Sequence, residues 1–272
     1  MIARDRTTSA RRLAAFAAAV LGAAMLVVPA VSGGASGGAS PPGDEENPCL
    51  GPERGQLLCP DLRIAPPTHM FKERTRNGHL LLHAQNNIRS RGRGPIEVRG
   101  IRSGPKEMEV RQRIRRVGGG RLAIETDAEL YFYPIPGQYR YWKFHDAASF
   151  EIWTLDSEGA LKRRVRTGPK VNYCLRDLER TQSSPQSPNH RVYPSCSQDP
   201  NRKSIVLGTS VGWSDIYPAD YHENYIDITG LRGCYAFVHV ADPSQHLFEL
   251  DEDNNDDRVL IRLPSANKVS SC

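Results

Sequence analysis

Apolar and polar residues alternate along much of this chain. The run Ile96-Glu97-Val98-Arg99-Gly100-Ile101 has this alternation, and Met108 to Ile114 shows it more loosely. A period of two places successive side chains on opposite faces of a strand. Further short runs rich in β-branched or aromatic residues lie at 130–133, 150–155, 205–207, 225–228, 235–240 and 259–263.

Turn residues separate these runs, among them Gly118-Gly119-Gly120, Asp156 to Gly159 and Asp242-Pro243. Many short strands divided by Gly and Pro predict an all-β fold, and we expect a β-sandwich. No stretch has the pattern of a long amphipathic helix. Residues 181–204 are rich in Ser, Pro and Asn and are predicted to form a long loop.

The first 48 residues differ in composition from the rest. Basic residues 4–12 precede an apolar, Ala-rich run at 13–28, and small residues follow, so residues 1–32 are predicted to be a secretory signal peptide. A permanent membrane anchor is the alternative, because the apolar run is borderline in length for a span. A twin-arginine signal at Arg11-Arg12 is a further alternative. Residues 33–48 read as a flexible linker, and 49–272 as one domain.

The mature domain is nearly neutral. The chain has 36 Lys+Arg and 31 Asp+Glu; without the four Arg and one Asp of residues 1–40, the counts are 32 and 30, a net charge of +2. This charge gives no general electrostatic footprint for nucleic acid. Contact with a membrane is expected only through an uncleaved leader.

All six cysteines follow the leader, and none forms a Cys-x-x-Cys pair. An even number in an exported chain predicts disulfides rather than a zinc or redox motif. Six cysteines allow 15 pairings. Local pairing is favoured: Cys49–Cys59, Cys174–Cys196 and Cys234–Cys272.

Three blocks between Tyr139 and Asp220 carry the chemistry. They are YRYWKFH at 139–145, GPKVNYCLRD at 168–177 and GWSDIYPAD at 212–220. Their order resembles the lysyl oxidase family, and the resemblance is strongest from Tyr139 to Leu263. It implies a β-sandwich of the lysyl oxidase catalytic-domain type. In that family a His-x-His-x-His run holds copper, and a lysine and a tyrosine fuse into a quinone cofactor.

Lys170 and Tyr217 match the quinone pair of the family. The three histidine positions read Tyr139, Tyr141 and Lys143, although Trp142 and the following Phe-Glu-Ile at 150–152 keep the register clear. Neutral imidazoles suit copper. A phenol with a pKa near 10 stays protonated at neutral pH, and an ammonium has no lone pair to donate. His145 offers one imidazole, but a single histidine is not enough to form this copper site. Without copper, the Lys170–Tyr217 crosslink is not expected to form.

A third part of the resemblance concerns calcium. The segment at 249–255, ELDEDNN, resembles the family's Glu-x-Asp-x-x-Asn-Asn calcium motif, and Asp61-Leu62 matches its remaining ligands. Calcium takes six to eight oxygens from carboxylates, amides and backbone carbonyls. The predicted ligands are Asp61, Leu62, Glu249, Asp251, Asn254 and Asn255. The simpler alternative is a solvated acidic turn.

These observations leave two main hypotheses. The first is a secreted or cell-envelope, lysyl-oxidase-like protein that has lost its activity and acts as a calcium-stabilised binding or structural module for an extracellular protein or amine ligand. The second is a copper- and quinone-dependent amine oxidase acting on peptidyl lysine or primary amines, with an unusual metal site. A generic secreted adhesion domain without an inherited pocket is a weaker third.

Overall fold

The structure is a computed structural model that describes residues 47–134 and 140–272. Tyr139, the predicted signal peptide at 1–32 and all but the last two residues of the predicted linker at 33–48 lie outside these ranges. Within them, no helix is long and apolar enough to cross a membrane.

The regular secondary structure of the described residues is almost entirely β-strand. Their bounds are β1 Leu57–Leu58, β2 Leu62–Ile64, β3 Thr68–Arg74, β4 Leu80–Ser90, β5 Ile96–Arg102, β6 Glu107–Arg116, β7 Arg121–Pro134, β8 Arg140–Leu155, β9 Leu161–Thr167, β10 Val171–Tyr173, β11 Glu179–Arg180, β12 Ser204–Thr209, β13 Trp213–Tyr217, β14 Tyr225–Asp227, β15 Gly233–Ala241, β16 Asp256–Leu263 and β17 Asn267–Lys268. Two short 3-10 helices span Pro52–Gln56 and Glu252–Asn254.

Two antiparallel sheets form the fold. The larger follows the order β12-β5-β6-β7-β8-β15-β16-β17, with β1 paired to β6 and both β9 and β10 paired to β8. The smaller follows β11-β13-β4-β14, with β2 and β3 also paired to β4. The predicted all-β sandwich is confirmed. Residues 181–203 contain no strand, as the Ser/Pro-rich pattern predicts.

The main hydrophobic core contains buried residues from both sheets. Leu82 and Ile88 from β4 belong to it, as do Phe144, Phe150 and Phe237 from β8 and β15. A smaller cluster beneath the Cys49–Cys59 disulfide holds Leu57 and Ile114.

The three disulfides are Cys49–Cys59, Cys174–Cys196 and Cys234–Cys272. This is the local pairing that the sequence favours. The second bond ties the end of β10 to the long loop at 181–203 and therefore holds that loop beside the site described next.

Candidate functional site

A cavity of about 200 Å³ lies where β8 of the larger sheet faces β13 of the smaller one. Both strands deliver residues from the blocks that the sequence singled out. The cavity is lined by Tyr141, Lys143, Cys174, Arg176, Ile216, Tyr217, Pro218 and Tyr221.

Lys143 is buried in this wall, with 1% of its surface exposed. Its Nζ donates a hydrogen bond to the Tyr221 hydroxyl at 2.6 Å and lies 3.6 Å from the Glu223 carboxylate. Nζ also lies over the Tyr221 ring, 5.1 Å from its centroid. Burial lowers the pKa of Lys143, and the Glu223 carboxylate opposes that shift. The position that resembles a copper histidine therefore holds an amine with its own acidic and phenolic partners.

The other two histidine-like positions add no imidazole to this wall. Tyr141 lines the cavity beside Lys143, and Tyr139 lies outside the described residues. His145, two residues further along β8, does not line the cavity. Its Nδ1 pairs with Asn172 Oδ1 at 2.8 Å, and its Nε2 lies 3.4 Å from Asp146.

Tyr217 ends β13 and is buried with its phenol in the cavity wall. Its hydroxyl accepts the Cys174 N–H at 2.8 Å and lies 3.3 Å from the Cys174 carbonyl, to which it donates. Its ring stacks on Tyr173, with centroids 3.8 Å apart and planes at 12°. Burial raises the pKa of Tyr217 well above its usual value, so the phenol is protonated at neutral pH.

Asn224 fixes this tyrosine pair from the side. It accepts a hydrogen bond from the Tyr173 hydroxyl at 2.5 Å and donates to the carbonyls of Tyr217 and Pro218 at 3.3 and 3.0 Å. Asn224 is fully buried. The tyrosine positions are thus set by hydrogen bonds as well as by packing.

Lys170 occupies a different environment. It lies just before β10 begins. Its side chain is 68% exposed, and its amine forms an ion pair with Asp146. Lys170 is not among the residues that line the cavity. The structure therefore does not bring the two quinone-like positions, Lys170 and Tyr217, into the wall of one pocket.

Arg176 is a second cation in the cavity wall. Its buried Nε has no hydrogen-bond partner among the described residues. The nearby Asp215 is fully buried, and both of its carboxylate oxygens also lack a hydrogen-bond partner there. Burial raises the pKa of Asp215 well above its usual value, although Arg176 opposes the shift.

The predicted calcium residues meet at the start of β2 and the turn before β16. Glu249 is fully buried and accepts hydrogen bonds from the Leu62 N–H at 2.5 Å and from Asn255 Nδ2 at 2.6 Å. Burial raises the pKa of Glu249, and the bond from Asn255 opposes that shift. Asp61 and Glu249, far apart in sequence, therefore come from adjoining segments of the fold.

Several polar atoms around Glu249 are buried and have no hydrogen-bond partner in residues 47–134 and 140–272. They are Asp61 Oδ1, Glu252 Oε2, both amide atoms of Asn254, and Asn255 Oδ1. Asp251 is exposed and accepts the Asp253 N–H at 3.1 Å. Buried oxygens without donors fit a cation that accepts oxygen ligands. No group of three or more His, Cys, Asp or Glu side chains in the described ranges is placed to hold a metal by itself, so such a site depends on its amide and backbone oxygens.

Sequence reasoning missed four residues of these sites. Tyr221 and Glu223 hold Lys143, Arg176 lines the cavity, and Glu252 adds an acid beside Glu249. Burial raises the pKa of Glu252 to about 7. Their only sequence signal is that each lies within or next to a block that resembles the family.

Comparison with known proteins gives one match. The family model for lysyl oxidase matches residues 121–272, which is more than half of the 272-residue chain. The matched range contains the cavity residues and the 249–255 turn but not Asp61 or Leu62. No curated protein matches the chain.

Proposed function

This chain belongs to the lysyl oxidase family, and within it we propose a catalytically silent member that acts as a calcium-stabilised extracellular binding or structural module. The observation that carries the proposal is the environment of Lys143. A lysine with a phenolic and a carboxylate partner stands where the family's pattern calls for a copper-binding imidazole.

Copper does not fit the residues present. An ammonium repels a cation and has no lone pair, while the neighbouring phenols of Tyr217 and Tyr221 stay protonated because burial raises their pKa values. His145 is turned to Asn172. We therefore derive no oxidation step for this chain, and Lys170 and Tyr217 keep separate structural contacts.

Calcium does fit the residues present. Asp61, Glu249, Asp251, Asn254 and Asn255, with the Leu62 carbonyl, would supply the oxygens, and a bound ion would neutralise the buried Glu249. Such an ion would hold β2 and the turn before β16 together. Asn254 and Asn255 support this proposal because their amide oxygens are buried without donors among the described residues.

An extracellular or cell-envelope location is part of the proposal. Three disulfides suit an oxidising compartment, and the basic, apolar leader at 1–32 suits export. In this setting the cavity beside Lys143 serves to bind rather than to convert a ligand.

Copper analysis together with phenylhydrazine labelling tests the proposal. The exported protein is purified after growth with added copper, its copper content is measured, and it is treated with phenylhydrazine, which reports a quinone. We expect substoichiometric copper, no coloured adduct and no oxidation of primary amines. Stoichiometric copper with a covalent Lys170–Tyr217 link would instead establish the amine oxidase.

A further inference from the structure

The cavity between β8 and β13 brings two cationic side chains to one small volume. Lys143 lies on β8 of the larger sheet, and Arg176 follows β10, which pairs with β8 in the same sheet. Arg176 forms no direct ion pair in the described part of the chain, although its charge acts on the buried Asp215. Its buried Nε also has no hydrogen-bond partner there. A guanidinium in this state presents a planar set of donors.

Only one of these two cations, Lys143, has a direct ion pair among the described residues. Glu223 lies 3.6 Å from the Lys143 amine and is held by the backbone N–H and side-chain amide of Asn172 at 3.1 and 3.3 Å. Asp215 is buried without a hydrogen-bond donor among the described residues; burial raises its pKa, and the charge of Arg176 opposes that shift. The Arg176 guanidinium is therefore left without a direct ion pair beside the cavity.

Aromatic rings form much of the remaining wall. Tyr141, Tyr217 and Tyr221 line the cavity, and Pro218 adds an apolar surface. The volume of about 200 Å³ is below the range typical of drug-sized ligands. These walls suit a single flat ring.

We propose that this cavity binds a small aromatic carboxylate, with the carboxylate on Arg176 and the ring against the tyrosines. The proposal rests on the proposed function, because it requires that the cavity holds the Lys143 cation and no copper ion. Arg–carboxylate pairs are often bidentate, which gives them strength and orientation. Lys143 adds a second positive charge at the same wall.

The same arrangement disfavours a primary amine, the alternative ligand that the family resemblance suggests. An alkylammonium would lie beside Lys143 and Arg176, and like charges at short range repel strongly where water is excluded. The positive charge of the cavity wall therefore favours a carboxylate over an amine of equal size.

The test uses the full mature chain, saturated with calcium, and three probes that share one ring: benzoate, benzylamine and benzyl alcohol. Isothermal titration calorimetry measures each Kd on the unmodified protein. We expect benzoate to bind at least about tenfold more tightly than either other probe, as the loss of a charge-assisted hydrogen bond would give. Equal binding of the three probes, tighter binding of benzylamine, or no benzoate binding overturns the proposal.

Variants locate the site. Arg176→Gln should weaken benzoate binding about tenfold or more, and Arg176→Lys should weaken it less. Arg163→Gln, an exposed residue of β9, is the matched control and should leave the Kd unchanged. An unchanged Kd in a folded Arg176→Gln also overturns the proposal, and the native-chain comparison decides the matter if that variant does not fold.

Failure here is distinguishable from failure of the proposed function. A protein with neither quinone nor benzoate binding would refute only the ligand. A protein with stoichiometric copper and a quinone would refute the silent module itself.

Discussion

The Nζ of Lys143 lies 2.6 Å from the Tyr221 hydroxyl, so a residue of the larger sheet donates to one that follows β13 of the smaller sheet. Glu223 completes the group at 3.6 Å. These two contacts explain how a lysine is tolerated with 1% of its surface exposed.

Removing this amine should destabilise the fold. Lys143→Met keeps the length of the side chain but leaves the Glu223 carboxylate without its cation, and breaking a buried pair in this way costs about 3 kcal/mol. Denaturant unfolding measures the loss. The double variant Lys143→Met/Glu223→Gln removes both charges and should recover a large part of it; equal destabilisation of the single and double variants would contradict the pairing.

Restoring three histidines tests the relation to copper. Replacing Tyr139, Tyr141 and Lys143 with histidine restores the His-x-His-x-His sequence, whose imidazoles suit copper. We expect the triple variant to retain copper through gel filtration where the unmodified chain does not, as metal analysis would show. The control variant returns position 143 to lysine. Equal copper in the triple variant and this control would contradict the role given to Lys143.

Calcium should raise the melting temperature. A ligand that binds only the folded state stabilises it by about 2.7 kcal/mol at a hundredfold excess over Kd. Scanning calorimetry with calcium or chelator measures the effect, and Asp251→Ala should remove most of it. Asp253→Ala deletes an acid of the same turn that is not a predicted ligand and should keep it. Identical melting of the unmodified protein in both buffers would rule the site out.

The disulfide at Cys174–Cys196 should stabilise both the fold and the cavity. Its 22-residue separation predicts a loss of about 3 kcal/mol when both cysteines become serine. Cys174 also donates its N–H to Tyr217, so near-ultraviolet circular dichroism should change. The double serine variant of Cys234–Cys272, away from the cavity, should lose similar stability without that spectral change. Matching spectral changes in the two variants would argue against a local effect.

The sequence predicted the strands best where one face is buried. Ile96 to Ile101 lies within β5, since alternate positions of that strand enter the core. The apolar run at 150–155 predicts only the second half of β8, which begins at Arg140. Most residues of its middle are buried on both faces, so the alternation is lost there. Fully buried strands do not show a period of two.

Only the candidate site residues that lie inside short sequence motifs were predictable. The blocks identified Lys143 and Tyr217 but not Tyr221 or Glu223. Tyr221 and Glu223 contact Lys143 across 78 and 80 positions of sequence, a distance that short motifs do not cover. No sequence signal indicated that Lys170 would pair with Asp146 rather than line the cavity. The roles of the calcium and quinone-like residues remain predictions.

Acid should weaken the fold through His239. This residue of β15 is fully buried between Phe150 and Phe237, whose ring centroids lie 4.4 and 5.0 Å away. Both ring nitrogens lack a hydrogen-bond partner among the described residues, and burial lowers the pKa to about 3. The unfolded chain, with a pKa near 6.5, binds the proton first. Stability is therefore lost as the pH falls from 6.5 toward 3.

Replacing this histidine isolates its contribution. His239→Phe removes the titrating group, so its free energy of unfolding should gain about 2 kcal/mol relative to the unmodified protein between pH 7.5 and 5. Unfolding is measured in chelator so that calcium does not contribute. Burial also raises the pKa of Asp242 to about 6 and that of Glu252 to about 7. These acids stabilise the fold as the pH falls, but they act equally in both proteins and cancel in the difference. His190 is exposed, and the control variant His190→Gln should give no such gain. A pH-independent difference for His239→Phe would mean that His239 protonates equally in the folded and unfolded chains.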